Sequence, residues 1–491
     1  MKTPRFSVDT PPVTGEAVLS AANFREVAPE ILSPLSFSLI GAGMEVAFRS
    51  VAAKTGIVIE GPNPEYLAFR AFRPYHVMSE IDKFVARMPI MSRSDVWELL
   101  LGGPPPLAGE PKEETADPRK IWNAVKVGLL LGRGNGEFSG RTAAQVARAE
   151  DAVRGVLADG SPIKVGSAFE LSFTAARTAW ALHTRTTTLA AAAASAMRHL
   201  FLQDYDEATA TELLRVVARR AGEAAYASAT AGRLPRGADR LQNYEVADRS
   251  DRFAPFCIAK EAAQPLGGSA MGGGHHSESV ALPNGTLAGK TANKLIDLLD
   301  SLLAERERSK ELGLRALHCV RLLLESGATG IDAGDAALLG ATELTRLERR
   351  AQQRLIDART EELQQAAALA LGPDVQEKGE DLVNIPRQAL TFVDTAVGTP
   401  LAPGWAEGPL MVESDGSGKD VICGERVDGN YVLAVQPAGV ITAFGSILSH
   451  VAIVCRELGI PLVAGISIPE SQASGRVVVD GWSGRVFREA A

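Results

Sequence analysis

The chain has 491 residues, of which 46% are hydrophobic and 22% charged, and its mean hydropathy is +0.03. This composition is typical of a folded globular protein with material for about three domains, and it excludes a disordered chain. With 51 Lys and Arg against 59 Asp and Glu, the formal net charge is −8, which argues against binding nucleic acid through a basic surface.

The cysteines and the N-terminal sequence indicate the cellular compartment of the protein. Four cysteines lie far apart without a CxxC pair, so we expect reduced thiols and not a disulfide framework or a zinc site: Cys257, Cys319, Cys423 and Cys455. The first residues contain no apolar signal region, and the most apolar run, 189–197, is much shorter than the ~20 residues of a bilayer span. We therefore expect a cytoplasmic protein.

Within the first 231 residues or so, the sequence changes from a turn-rich pattern to a helical one. Residues 1–103 mix short apolar runs with Gly/Pro turns, 111–118 indicate a loop, and the glycine-rich 132–136 indicates a turn. From 141 to 231 the chain is rich in alanine, leucine and arginine. Val146, Ala149, Val153 and Val156 recur at helical spacing, which predicts one buried face.

Residues 232–290 break the helical pattern and predict a long irregular excursion, of the kind that often lines a binding site. Within it, 284–291 resembles a phosphate-binding loop, but the strand that such a loop needs is poor, so we favour a plain helix start. The adjacent His275 and His276 are candidates for a metal or phosphate, although a flexible loop is the better interpretation.

The sequence again has a helical pattern over 291–324 and 341–371. Arginines and glutamates alternate over 343–363, which predicts a solvated, ion-paired helix face in preference to an anion site. His183 and His318 stand among apolar neighbours and are expected to be hydrogen-bonded core residues. Three further residues are candidates for a pocket lining: Tyr75, His76 and Trp180.

Near Gly372 the sequence pattern changes to one typical of β-strands. We place a domain boundary at about 390–398. Short valine- and isoleucine-rich runs predict strands at 431–435, 440–442, 462–464 and 476–479. The predicted fold is therefore multidomain, with a large, mainly α-helical domain over 1–390 and a small α/β domain over 391–491.

One clear helix stands among these strands. Ser449 is a good N-cap, and Gly459 followed by Pro461 is a good stop, which predicts a helix from His450 to Leu458. His450 then occupies the first turn, where free N–H groups and the helix dipole favour an anion. A neutral imidazole there is a suitable nucleophile for a phosphoryl group, although a capping or packing role is the plain alternative.

The residues around His450 resemble the phosphohistidine swivelling domain of the phosphoenolpyruvate-utilising enzymes. The family pattern runs roughly G-G-x-T/L-S-H-x-A-I-V-A-R-E-x-G-I-P-x-V-x-G. The matching positions are Gly445, Ser449, His450, Ala452, Ile453, Val454, Arg456, Glu457, Gly459, Ile460, Pro461, Val463 and Gly465. Departures are Ser446, Val451 and Cys455, and Leu448 is closer to the rifampin phosphotransferase branch than to the dikinase branch.

Weaker likenesses to the rifampin phosphotransferase group extend over nearly the whole chain, at 23–36, 73–89, 305–310, 334–344 and 398–409. The family places an ATP-grasp-like domain before the central domain, and this chain begins where that domain would have ended. We therefore expect ATP and Mg²⁺ on a separate ATP-grasp protein, with no cofactor on this chain. The loop and short helix that the family inserts before the glycine-rich loop are expected to be absent here.

The resemblance implies a phosphotransferase component. His450 would carry the phosphoryl group, swing on a 372–398 linker and deliver it to a hydroxyl or enol of a small molecule held by the N-terminal domain. Arg456 is the candidate for oxygen contact, Ser449 for holding the imidazole or a phosphoryl oxygen, and Glu457 for structural pairing. Alternatives are a non-catalytic binding or regulatory protein, and a PEP synthase-like or substrate-activating subunit of a biosynthetic pathway. We expect no nucleic acid or membrane partner.

Overall fold

The computed structural model describes residues 4–13, 15–21, 24, 31–55, 65–87, 136–159, 162–204, 245–247, 252–253, 287–385, 390–392, 395–414, 417–425, 427–446 and 449–488. Several predicted features lie outside the described residues: the turns at 61–64, the loop at 111–118, Cys257, and most of the 232–290 excursion with His275 and His276. The glycine-rich turn at 132–136 is described only at Gly136, and the phosphate-loop-like stretch only from Leu287 onward.

An antiparallel sheet joins the two ends of the N-terminal part. Its strands are β1 (Glu16–Ser20), β2 (Leu67–Arg70), β3 (Arg73–Val77), β4 (Asp374–Lys378) and β5 (Asp381–Asn384), in the order β2-β3-β1-β4-β5. Leu19 pairs with Val77 on one side and with Val375 on the other. The expectation of a flexible linker over 372–398 is therefore wrong for residues 374–384, which belong to this sheet.

Eight helices accompany this sheet in the described part of residues 4–385. They are α1 (Pro34–Thr55), α2 (Met78–Ala86), α3 (Gly136–Asp159), α4 (Pro162–Asp204), α5 (Leu287–Glu325), α6 (Ala333–Ala337), α7 (Ala341–Arg346) and α8 (Arg349–Ala367). The predicted helical segments are confirmed where they are described, and the predicted face of α3 is buried, with Val146 0% and Val156 3% exposed. The described residues before 386 are mainly helical, as expected.

Helices α4 and α5 lie antiparallel, because Trp180 meets Gly313 while His183, further along α4, meets Arg306, earlier in α5. Trp180 is fully buried between two glycines, since a Cβ atom on Gly43 or Gly313 would come within 2.9 Å of its atoms. Glycine at both places lets three helices close on one large side chain.

Helix α1 was not predicted, because its apolar residues surround the helix and leave no clear stripe. Its residues Pro34–Lys54 form the one helix in the described ranges that is long and apolar enough to cross a membrane. Over half of its most apolar 18-residue window, 56%, is buried inside the protein, so α1 is a core helix of this structure.

A second, eight-stranded sheet forms the C-terminal part, residues 390–488. Its strands are β7 (Thr395–Val397), β8 (Thr399–Ala402), β9 (Trp405–Met411), β10 (Val421–Gly424), β11 (Gly439–Thr442), β12 (Leu462–Ala464), β14 (Arg476–Asp480) and β15 (Arg485–Arg488). A separate short pair is β6 (Leu390–Thr391) with β13 (Ile466–Ser467). The predicted strands at 440–442, 462–464 and 476–479 are confirmed.

The eight-stranded sheet closes on itself. Its order is β7-β15-β14-β9-β10-β11-β12-β8, so the two outermost strands are consecutive in sequence with Gly398 alone between them. The neighbours β9, β10, β11 and β12 pair in parallel, whereas the remaining pairs are antiparallel. Closure removes the exposed edges that an open sheet would present.

Two helices cover the parallel strands, α9 (Gly429–Val435) and α10 (His450–Leu458). The predicted strand at 431–435 is wrong, because these residues form α9. A short helix, α9, therefore stands before the glycine-rich loop, and the absence of the family's inserted piece stays a prediction. The error came from reading Tyr431, Val432 and Val435 as β-formers, whereas packing against α10 decides their structure.

One apolar cluster contains residues from both parts of the chain, and we call it the shared cluster. From residues 4–385 it includes Phe48, Val51, Tyr66, Met78, Leu189, Met197 and Leu299, and from residues 390–488 it includes Ile422, Val427, Val432, Val451, Val454 and Leu462. The C-terminal part is thus packed against the N-terminal part in this structure. The position of a domain boundary at 390–398 stays a prediction.

Candidate functional site

His450 lies beyond the carboxyl ends of the parallel strands. Strand β11 ends at Thr442, and the chain returns to begin α10 at Ser449. The Ser449 N–H donates to the Ser446 carbonyl oxygen at 3.0 Å, and the Ser449 Oγ accepts a hydrogen bond from the Ala452 N–H at 3.3 Å. These bonds confirm Ser449 as the N-cap and fix His450 as the first residue of the helix.

The end of α10 also follows the prediction. Gly459 adopts the left-handed conformation with φ of 67°, and its N–H reaches back to the Arg456 carbonyl oxygen. A residue with a side chain is strained at such a φ, so glycine determines where the helix stops. The nine-residue helix buries Val451, Val454 and Cys455 against the sheet, which holds the start of the helix rigidly beside the loop that precedes it.

The imidazole of His450 is held on one side and open on the other. The residue is partly exposed, whereas its Nδ1 atom is buried. Gly429, the first residue of α9, lies directly against the ring, because a Cβ atom at Gly429 would come within 2.7 Å of the His450 Cδ2. Two helix starts therefore meet at this ring, and the missing side chain of Gly429 makes room for it.

The electrostatics of this place favour negative charge. The first turn of α10 directs backbone N–H groups toward the space around His450, and the helix dipole adds a partial positive charge there. Such a position stabilises a phosphate or phosphoryl oxygen. The ring is therefore a nucleophile placed where an anionic group is stabilised once attached.

Arg456 lies elsewhere than the sequence suggested. Its side chain is 4% exposed, and its Nη1 donates to the Leu401 carbonyl oxygen at 3.0 Å. It stands six residues beyond His450, which is about 9 Å along the helix axis. These contacts favour a structural role, in which Arg456 ties α10 to β8. Glu457 lies in the same helix, and its side chain is outside the described residues.

The other candidate histidines and aromatic residues form packing sites. His183 Nδ1 donates a hydrogen bond to the Arg306 carbonyl oxygen at 3.2 Å, and burial lowers the pKa of His183 to about 3. His318 is partly exposed. Tyr75 and Trp180 are fully buried in the core, and His76 is 6% exposed and stacks on Phe24, so none of these three lines an open pocket.

The charged helix α8 has the predicted solvated face, on which Arg350, Arg354 and Asp357 are exposed, and one charged residue that turns inward. Arg359 is 5% exposed and binds Glu343 through both nitrogens, at 2.5 and 2.9 Å, and its Nη1 also reaches the Leu338 carbonyl oxygen. The guanidinium holds the pKa of Glu343 below its ordinary value. Ion pairing was predicted for this helix. The pair of Arg359 and Glu343, however, lies on the buried side and connects α7 to α8.

The described cysteines behave as expected. Cys319, Cys423 and Cys455 are buried free thiols, and burial raises the pKa of each. Raised pKa values leave the thiols protonated and unreactive near neutral pH. Within the part of the chain that the structure describes, no group of three or more His, Cys, Asp or Glu residues is arranged to hold a metal ion.

Sequence reasoning missed the contribution of α9 to the site. Asp428 and Gly429 form a turn-and-cap signal ahead of Val432, and the Val432 N–H bonds the Asp428 carbonyl oxygen at 3.0 Å as the first helical bond. Reading Asp-Gly as a helix start would have placed Gly429 close to the following loop. Only the folded structure shows that its backbone touches the His450 ring.

Comparison with known proteins supports the interpretation of this site. Residues 419–484 match the family model described as PEP-utilising enzyme, mobile domain. The match runs from just before β10 to just before β15 and includes α9, α10 and His450. It supports a place among the PEP-utilising enzymes and indicates a phosphotransferase role with phosphohistidine as the carrier. No curated protein matches the chain.

Proposed function

We propose that this protein carries a phosphoryl group on His450 and passes it to the hydroxyl or enol of a small molecule bound by the N-terminal part. The observation that supports the proposal most strongly is the position of His450, partly exposed at the start of α10 inside the segment that matches the mobile-domain family. The weaker likenesses of the chain suggest two kinds of acceptor. One is a bulky alcohol, as for rifampin phosphotransferase, and the other is pyruvate, as for PEP synthase.

The first step forms one bond and breaks one. Because Nδ1 is buried, Nε2 is the nitrogen that faces a donor, and its lone pair attacks the γ-phosphorus of ATP. The N–P bond forms as the bond from phosphorus to the ADP oxygen breaks, and ADP leaves. The ring becomes a phosphoimidazolium that keeps its proton on Nδ1.

The second step returns the ring to its neutral state. An acceptor oxygen attacks phosphorus, the N–P bond breaks, and the hydroxyl proton passes to solvent or to a base beside the acceptor. Transfer of this kind depends mainly on in-line positioning and on stabilising the charge of the phosphoryl oxygens. The N–H groups of the first turn of α10 provide that stabilisation on the carrier side.

The proposed donor is ATP with Mg²⁺ on a separate ATP-grasp protein. The carrier then alternates between that protein and the N-terminal part, with which it is packed through the shared cluster in this structure. Residues 374–384 belong to the N-terminal sheet and β6 pairs with β13, so the movement that we propose is a rotation of the C-terminal part relative to the N-terminal part. We propose no cofactor bound by this chain alone.

The proposal is tested by the intact mass of the chain after incubation with ATP, Mg²⁺ and the ATP-grasp protein encoded beside it. We expect the addition of one acid-labile phosphoryl group, lost in His450→Ala and kept in His318→Ala, which removes another partly exposed histidine. No addition to the wild-type chain, or an addition that survives in His450→Ala, would leave the non-catalytic binding protein as the better explanation.

A further inference from the structure

The described residues between α4 and α5 form two short pieces that are fastened to the N-terminal helices, 245–247 and 252–253, and we call them the strap. Val246, Ala247 and Phe253 are at most 4% exposed and belong to an apolar cluster of the N-terminal part. Glu245 is fully buried as well. The strap is therefore part of the folded core, although the sequence around it is irregular.

A buried carboxylate fastens the first piece of the strap to the start of α1. Ser33 directly precedes α1, and its N–H donates to Glu245 Oε2 at 2.6 Å. The hydroxyls of Ser33 and Ser36 donate to Oε1 at 2.6 and 2.9 Å, and the Ala247 N–H donates to Oε1 at 3.0 Å. These four donors and the helix dipole stabilise the charged form of the side chain in a place that is closed to water.

The same piece is also held by its backbone. The Val246 N–H donates to Ser36 Oγ at 2.9 Å. Arg321 lies near the end of α5 and is 2% exposed. Its Nε donates to the Val246 carbonyl oxygen and its Nη2 to the Glu245 carbonyl oxygen, both at 3.3 Å. Glu245 thus connects two helices, because its carboxylate binds α1 and its main chain binds α5.

The second piece connects the strap to two further helices. Arg252 donates from Nη1 to the Thr360 Oγ1 of α8, and its Nη2 forms an ion pair with Asp335 of α6. The paired side chains are 28% and 26% exposed, so this contact lies nearer the surface than the Glu245 carboxylate. The strap therefore joins α1, α5, α6 and α8 at one end of the N-terminal part.

That end lies far from the C-terminal part. The residues of α1 in the shared cluster begin at Phe48, which stands about 18 Å beyond Ser36 along the helix axis. On α5, Arg321 stands about 27 Å beyond Leu303, the last residue of that helix in the shared cluster. The strap is therefore separate from the proposed phosphoryl transfer at His450.

We infer that the strap is a latch that opens as a unit, and that the charged carboxylate of Glu245 is the contact that keeps it closed. Hydrogen bonds to a charged group in a water-free site are strong, whereas buried donors that lose such an acceptor bear the full cost of their desolvation. Neutralising the carboxylate therefore weakens all four contacts at once. With the first piece released, Val246 and Ala247 leave the apolar cluster, and the start of α1 becomes accessible to water.

The test is hydrogen exchange of the full-length chain, read by mass spectrometry, in the wild type and in Glu245→Gln. We expect exchange at least about tenfold faster in the peptides that contain residues 245–247 and the first turn of α1, with the protection of α10 unchanged. Ser36→Ala removes one donor and should give a smaller increase in the same peptides, and it serves where Glu245→Gln does not fold. The matched control is Glu170→Gln, at an exposed position of α4, which should exchange as the wild type does.

A uniform increase in exchange throughout α1, α4 and α5 would overturn the inference, because Glu245 would then stabilise the whole N-terminal part and not one end of it. Unchanged exchange in both Glu245→Gln and Ser36→Ala would overturn it as well, since the carboxylate would not be what holds the strap. The assay uses no phosphoryl donor, so neither result bears on the phosphorylation of His450.

Discussion

At the residue scale, the position of the His450 ring depends on a neighbour with no side chain, Gly429. Gly429 allows the start of α9 to approach His450 so closely that a Cβ atom would come within 2.7 Å of Cδ2 and 3.2 Å of the backbone carbonyl of His450. Real Cβ atoms do not tolerate such approach, so a larger residue must displace the ring or the helix.

Gly429→Ala should slow the phosphorylation of His450 by tenfold or more, since displacing a reacting group by about 1 Å costs up to about 10²-fold in rate. The measurement is the initial rate of acid-labile phosphate incorporation. Gly155→Ala in α3 is the control, because its Cβ atom meets no neighbour within 4 Å, and it should leave the rate unchanged. Equal rates in the two variants would show that the close contact does not position the ring.

A second residue-scale feature is the burial of His76. Its ring is 6% exposed, stacks on Phe24 with 4.6 Å between ring centres, and has its pKa lowered from 6.5 to about 4 by burial. The unfolded chain therefore binds a proton more tightly than the folded one. Stability that is present above the unfolded pKa is lost as the pH falls from 6.5 toward 4.

His76→Phe should accordingly reduce the acid sensitivity of the protein. Between about pH 7.5 and about pH 5 the wild type loses about 2 kcal/mol of unfolding free energy through this one group, and the variant keeps that amount. Denaturant unfolding at the two pH values gives the difference. A wild type and a variant with the same pH dependence would mean that His76 titrates normally in the folded protein.

At the element scale, α10 was predictable to the residue because its signals are local. A serine N-cap, a histidine in the first turn and a glycine with positive φ at the end define the helix without tertiary contacts. The N-terminal sheet was not predictable in this way. Its central strand β1 pairs with β4, and more than 350 residues separate Leu19 from Val375, so no local pattern identifies the partner.

The same contrast explains the error at 431–435 and the buried position of Arg456. Tyr431 and Val432 favour strands by propensity, yet the space between β10 and β11 admits a helix that packs on α10. Arg456 matches the family pattern, but sequence alone does not reveal whether an arginine in the last turn faces the ligand or the adjacent strand. Burial and the bond to the Leu401 carbonyl decide in favour of the strand.

Arg456→Met separates these two roles. We expect a loss of about 1–3 kcal/mol in unfolding free energy, because the buried Leu401 carbonyl loses its donor, with the phosphorylation rate of the folded chain unchanged. Arg485→Met, at an exposed position of β15, should affect neither. A large loss of rate at unchanged stability would instead support direct contact between Arg456 and the phosphoryl group.

At the scale of the whole molecule, the C-terminal part is a closed sheet packed against a mainly helical part. Gly398 is the one residue between β7 and β8, which pair with β15 and with β12 at the two ends of the sheet order. A Cβ atom at this position would lie 2.2 Å from the Ala464 carbonyl oxygen and 2.8 Å from a methyl carbon of Val463. The closed sheet in turn fixes the strands on which α9 and α10 rest.

Gly398→Ala should therefore destabilise the C-terminal part by more than about 2 kcal/mol and increase hydrogen exchange in β8 and β12. Hydrogen exchange read by mass spectrometry locates the change, and protection in α4 and α5 should alter less. Gly140→Ala, where a Cβ atom meets nothing within 4 Å, should leave exchange in β8 and β12 as in the wild type. Unchanged protection of these strands in Gly398→Ala would show that the sheet does not close through this residue.

The central claim is that the His450 ring accepts a phosphoryl group on Nε2, and it is tested most directly without any partner protein. The full-length chain is treated with phosphoramidate as a small-molecule donor, and the product is examined by ³¹P and ¹⁵N NMR. We expect one nitrogen–phosphorus signal, assigned to Nε2 and absent from His450→Ala. A wild-type chain without such a signal, or a signal that persists after His450 is replaced, would contradict the claim.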